Sequence, residues 1–231
     1  PGALAALGLV MLGRDLGTAM VMGLAVMGAM YFGGISWRAL AFTAGSAALG
    51  VLLLVVTSEN RMRRLFGFAE GHADYSGSGW QPLHGLWALA GGGLFGSGLG
   101  NSKAKWSWLP AADNDYIFAI VGEELGLVGA ILVIGLYVVL AVVMLRAIGR
   151  ARDRFGRATI GGIMVWIVGQ AFINIGVVIG VLPVLGVPLP LISAGGTALI
   201  ACLLAIGVVI SIARDGEQYQ TELEQTRSAG S

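Results

Sequence analysis

The chain has 231 residues, of which 56% are hydrophobic and 12% charged, with a formal net charge of +1. A soluble domain carries about 25% charged residues, so this composition excludes an ordinary globular protein and indicates an all-α polytopic membrane protein. Basic residues are too few and too scattered for a nucleic-acid surface. The single cysteine, Cys202, cannot form an intramolecular disulfide and reads as a packing residue in an apolar run.

A transmembrane helix needs about 20 apolar residues. Residues 2–12 are apolar but too short to span, and the chain opens Pro1-Gly2, which reads as the C-terminal part of a longer protein starting inside a truncated helix. Apolar runs at 17–35, 39–56, 117–145, 160–182 and 197–213 are then read as about five full spans within a transmembrane domain covering 1–213. Between the second and third lies a large loop, 57–116; after Ala213 comes a polar tail, 214–231, expected to be disordered.

Short loops rich in Lys and Arg stay cytoplasmic. Arg146, Arg150, Arg152, Arg154 and Arg157 form the densest basic cluster, which places that connection, Arg38 and the tail inside. The turn at Arg14-Asp15, the large loop and the Pro-rich stretch 183–196 then lie outside. Arg61, Arg63, Arg64, Lys103 and Lys105 are basic residues on that outer side. They suit either an anionic ligand or anionic lipid head groups.

Acidic residues gather on the same side. Asp113, Asn114 and Asp115 stand just before an apolar helix, where they could act as N-caps or line a polar cleft. Glu123 falls eight residues after Asp115, about 12 Å along a helix, and Glu124 points nearly opposite to Asp115. These glutamates could be structural acids or cleft residues. The glycines of "AGGGLFGSGLGNS" lack a Gly-Lys-Ser/Thr ending, so a P-loop is rejected and residues 88–100 read as a short amphipathic or re-entrant segment. Gln170 and Asn174 among Gly169, Gly176 and Gly180 suit interhelical packing and hydrogen bonds, although Asn174 could instead line the cleft. His72 and His84 lack metal-ligand spacing and read as loop residues; Trp80, Trp106 and Trp108 suit an interfacial belt.

"RDLGTA" (14–19), "GGGLFGSGLGNSKAK" (91–105), "LPAADNDYIFAIVGEELGLVG" (109–129) and "NIGVVIGVLPVLGVPLPLISAGGT" (174–197) together resemble the SEDS family (shape, elongation, division and sporulation), and its division branch more than its elongation branch. The resemblance implies a peptidoglycan glycosyltransferase of the bacterial cytoplasmic (inner) membrane. Such an enzyme polymerises lipid II into glycan strands at the outer face during cell division, with the C-terminus cytoplasmic. By the same resemblance Asp115 is the catalytic residue. Asp113 and Asn114 stand where the family usually has histidine and threonine, and Arg14 where it has proline. Implied partners are lipid II and the growing strand, a class B penicillin-binding protein, other divisome proteins and membrane lipid.

The implied reaction inverts the donor's anomeric centre, so one carboxylate suffices as base toward the acceptor hydroxyl. The departing pyrophosphate needs positive charge. Arg61, Arg63, Arg64, Lys103 and Lys105 are the candidates, with Asp113, Glu123 and Ser193 as further substrate contacts. No dedicated metal cage is visible; Asp115 and the phosphates could share a Mg2+ or Mn2+. A lipid-precursor flippase and a division scaffold are the competing readings. A transporter would distribute polar residues through membrane depth on several helices.

Overall fold

A computed structural model describes residues 2–13, 15–57, 62, 80–103 and 114–229. All regular structure among these residues is helical. In chain order the helices are α1 (Gly2–Leu12), α2 (Leu16–Phe32), α3 (Trp37–Val56), α4 (Trp80–Gly92), α5 (Ile117–Arg150), α6 (Arg154–Met164), α7 (Gln170–Val178) and α8 (Gly196–Ala229). A π-helical turn, Val165–Gly169, joins α6 to α7 without a break. α5, the continuous Arg154–Val178 and the first part of α8 are long and apolar enough to cross a bilayer. Leu16–Phe32 is apolar but shorter, at 17 residues, while α3 runs 20 residues from Trp37 to Val56. α2 is limited by its ends: Asp15 caps it at one side and Gly33-Gly34, with Gly34 at φ +80°, closes it at the other.

α2 packs along α6, and glycines make that approach possible. A Cβ on Gly28 would meet the Val165 side chain, and one on Gly161 would meet Phe32. Small residues that admit close backbone contact are the usual device for helix association in lipid. Two apolar cores result. One gathers Tyr116, Phe118, Ala119, Tyr137, Ile175 and Leu189; the other gathers Met144, Ile148, Ile160 and Val209 near the α5–α6 turn. The remaining α5 surface exposes Leu132, Leu136 and Val139, as suits a helix facing hydrocarbon.

α5 is not one rod. Gly126 adopts φ +68°, ψ −164°, a conformation that belongs to glycine. The break frees backbone groups that a membrane protein must satisfy, and the glycine-rich loop after α4 does so. Ser97 N and Gly98 N donate to the carbonyls of Glu123 and Glu124 at 2.9 and 3.0 Å. Leu127 N and Val128 N donate to Gly93 and Leu94 carbonyls at 2.9 and 3.3 Å. The expected re-entrant segment is thus a short helix and loop folded against the break, and His84 lies buried inside α4 rather than in a loop.

The tail expected to be disordered continues α8 through Ala229. Glu, Gln and Thr there do not oppose a helix already nucleated by its apolar part. The α5–α6 turn also holds it: Arg150 pairs with Glu217 at 2.8 Å, and the Arg152 guanidinium lies 4.6 Å from the Tyr219 ring centroid.

Candidate active site

Asp15 begins α2, and its carboxylate accepts hydrogen bonds from Thr18 N at 2.9 Å and Thr18 Oγ1 at 2.6 Å. Two residues on, Gly17 packs against the Leu185 carbonyl and the Val187 side chain. The start of α2 therefore abuts the connection between α7 and α8. That connection, "GVPLPLIS", is largely buried at Val187, Leu189 and Pro190, yet it has no strand or helix partner for its carbonyls. Buried carbonyls need donors, and side chains supply them in succession. Asn174 Nδ2 donates to Val187 O at 2.7 Å, Gln170 Nε2 to Pro188 O at 2.8 Å, and the Tyr137 hydroxyl to Pro190 O. Gln170 is oriented in turn by Trp166 Nε1, which donates to its Oε1 at 3.1 Å.

The turn before α5 docks onto the same connection. Asn174 Nδ2 also donates to the Asp115 carbonyl at 2.7 Å, and Ser193 Oγ donates to the Asn114 carbonyl at 2.6 Å while accepting from Leu189 N at 2.8 Å. These links show how far α5 bends. A straight helix would put Tyr137 about 33 Å from Asp115. The path through Asn174, Val187 to Pro190 and the tyrosine side chain spans about 28 Å at most, so the halves of α5 on either side of Gly126 are not collinear.

The Asp115 side chain is half-buried beside Gly186, where an added Cβ would lie 3.7 Å from Oδ2. Its Oδ1 is buried without a hydrogen-bond partner among the described residues. Asp115 does not cap α5: Tyr116 holds the cap position, with no side-chain cap hydrogen bond. Burial, and after it the negative charge of Asp15, pushes the Asp115 carboxyl above the usual carboxylate range. A cavity of about 250 Å³ opens beside the connection, lined by Thr18, Trp166, Gln170, Ser193 and Cys202 among others.

Of the residues singled out from sequence, Asp115 and Ser193 meet here. Glu123 does not join them: its carboxylate accepts from Ser102 Oγ at 2.5 Å and Lys103 N at 3.0 Å, while Glu124 accepts from Ser102 N at 3.3 Å. The adjacent glutamates hold the glycine-rich loop, and Lys103 itself is exposed. Arg61, Arg63, Arg64, Lys105 and Asp113 lie outside the described residues, as do Arg14, His72, Trp106 and Trp108. Sequence reasoning placed Asp15 on the outer side without a role of its own, and read Asn174 as a packing residue with the cleft as the alternative. The signal for Asn174 was its spacing of four from Gln170, which puts both amides on one helix face.

An all-helical polytopic membrane protein with a half-buried carboxylate, one oxygen unbonded among the described residues, where three of the four sequence motifs meet is a narrow class. The chain belongs to the FtsW/RodA/SpoVE family, described as "Cell cycle protein", which it matches over residues 2–218. It is 42% identical over 214 residues to the probable peptidoglycan glycosyltransferase FtsW of Mycobacterium tuberculosis, covering 93% of this chain and 41% of that protein. It is 36% identical over 201 residues to the peptidoglycan glycosyltransferase MrdB of Escherichia coli K12, covering 86% of this chain and 54% of the relative. The chain thus spans about half the length of the curated relatives it matches. Among solved structures it is similar, at TM-score 0.74 and 27% identity, to a chain from work on the structural coordination of polymerization and crosslinking by a peptidoglycan synthase complex, covering 94% of this chain and 60% of that one. A mutant of the Thermus thermophilus rod shape determining protein RodA matches at TM-score 0.60 and 27% identity, covering 92% and 54%.

Proposed function

We propose that this chain carries the catalytic carboxylate of a peptidoglycan glycosyltransferase that polymerises lipid II during cell division. The half-buried Asp115 carboxyl, with one oxygen unbonded among the described residues, is the observation that carries the reading. A base must keep an oxygen free for the proton it removes, and a raised pKa improves the match to a neutral operating pH. Asp115 takes the proton of the acceptor sugar hydroxyl as that oxygen attacks the donor's anomeric carbon. The bond to the lipid-linked pyrophosphate breaks with its electron pair, and the centre inverts. Positive charge for the leaving group comes from Arg61, Arg63, Arg64, Lys103 and Lys105. A Mg2+ or Mn2+ would supply further charge neutralisation there. Among the described residues no three His, Cys, Asp or Glu side chains converge, and both Asp15 oxygens are engaged by Thr18, so these residues make no metal cage of their own.

The Asp115 end of the bundle faces outward from the cytoplasmic membrane in this reading, and the Arg150 end and C-terminus face the cytoplasm. The expected partner is a class B penicillin-binding protein with other divisome proteins. The relatives' names and the synthase-complex structure support the activity and the existence of a partner. A transport path is less well supported. The deep polar side chains Gln170 and Asn174 are engaged with carbonyls of the connection instead of lining a route across the membrane.

Glycan-strand synthesis from purified lipid II by the full-length protein with its penicillin-binding partner tests the proposal. Asp115→Asn should lower polymerisation at least 100-fold with folding and partner binding intact. Persistence of polymer would rule out a general base at this position.

A further inference from the structure

The Asp115 carboxylate has a problem of aim. A base kept free to accept a proton cannot be oriented by hydrogen bonds on both its own oxygens, and Oδ1 has none among the described residues. The main chain carries the constraint instead. Two consecutive carbonyls, Asn114 O and Asp115 O, are held at 2.6 and 2.7 Å by Ser193 Oγ and Asn174 Nδ2. Both side chains are tied in turn to the α7–α8 connection, Ser193 through Leu189 N and Asn174 through Val187 O. Asn174 is 2% exposed, so its contacts are shielded from competing water. Holding the peptide planes on both sides of the Asp115 Cα restricts its φ and ψ, and with them the direction of its Cβ.

We infer that Asn174 and Ser193 are positioning residues: together they clamp the two peptides that flank the Asp115 Cα onto the Val187–Ser193 stretch and set where the Asp115 carboxylate points. This rests on the assignment of Asp115 as the base. It gives Ser193 a different part from the substrate contact its sequence suggests, because its hydroxyl is already engaged as donor to one backbone carbonyl and acceptor from a backbone amide. The Asp115 carboxylate is then kept in its half-buried place beside Gly186, facing one described charge, Asp15 on α2; α7 and the connection carry no ionisable side chain toward it.

The test uses the full-length protein with purified lipid II, reading kcat, KM and the pH dependence of kcat. Ser193→Ala removes one oxygen and leaves packing intact, and it should lower kcat tenfold or more with KM within twofold. A loosened carboxylate gains solvent, so its pKa falls and the acid limb of the kcat profile moves to lower pH. Ser193→Thr, which keeps a hydroxyl, should restore at least half of kcat. Asn174→Ala should act in the same direction, and the double variant should fall short of the product of the two losses, because both act through the backbone of one residue, Asp115. A kcat within twofold of wild type in Ser193→Ala, or a loss matched by lost folded protein with the acid limb unmoved, overturns the clamp. If Asp115→Asn is inactive while both clamp variants behave as wild type, the clamp alone fails. If Asp115→Asn polymerises normally, the base assignment fails and the clamp with it.

Discussion

At the scale of single residues, the site depends on a carboxyl group kept in an unfavourable place. Asp115 is pushed above the usual carboxylate range by burial first and by Asp15 second. A rate that needs the ionised form rises with pH through that pKa, so the acid limb of the activity profile should lie above that of an ordinary aspartate. Asp15→Asn removes a negative charge that disfavours ionisation of Asp115, and it should shift the limb to lower pH. Asparagine is as good an N-cap as aspartate, so α2 should stay folded and the shift should be readable in a kcat–pH profile. A limb that stays in place would mean that Asp15 does not reach Asp115 electrostatically.

At the scale of elements, the break in α5 and the loop after α4 form one unit. Gly126 needs a positive φ, and an added Cβ would meet the backbone of Gly96 and Leu94. Gly126→Ala should therefore cost roughly 1–3 kcal/mol from strain alone, read as a lower Tm in detergent. The loss should exceed that for Gly135→Ala further along α5, where an added Cβ meets nothing within 4 Å. The adjacent glutamates acquire their explanation here. They face the returning loop, and their backbone carbonyls and carboxylates together hold residues 97, 98, 102 and 103.

At the scale of the whole molecule, charge and motif are separated along the helices. The Asp115 end collects the convergent motifs, and the Arg150 end collects Arg146, Arg150, Arg152, Arg154 and Arg157. The proposed orientation has that short basic turn in the cytoplasm, as the positive-inside rule expects. A single cysteine introduced at Arg154 of a Cys202-free protein should label with a membrane-impermeant thiol reagent only after the membrane is opened, and one introduced at Ile192 should label in intact cells. The reverse pattern would invert the topology. The exposed Arg150–Glu217 pair should matter little to stability, because exposed ion pairs contribute about 0–1 kcal/mol.

Composition and apolar run length determined by themselves that this is a helical membrane protein, because the bilayer admits few ways to satisfy a backbone and the 20-residue signal is local. The motif spelling singled out Asp115 as the candidate base, although Asp113 and Asn114 beside it depart from the family pattern. Tertiary structure decided what those residues do. Whether Asp115 caps a helix or sits free, whether Glu123 joins it or holds a loop, and whether Asn174 only packs or also bonds the Asp115 and Val187 carbonyls all depend on which carbonyls and amides come within 3 Å across gaps of 13 to 79 residues. A hydrogen bond between distant segments leaves no periodic trace in a sequence, whereas a helix facing lipid leaves one at every turn.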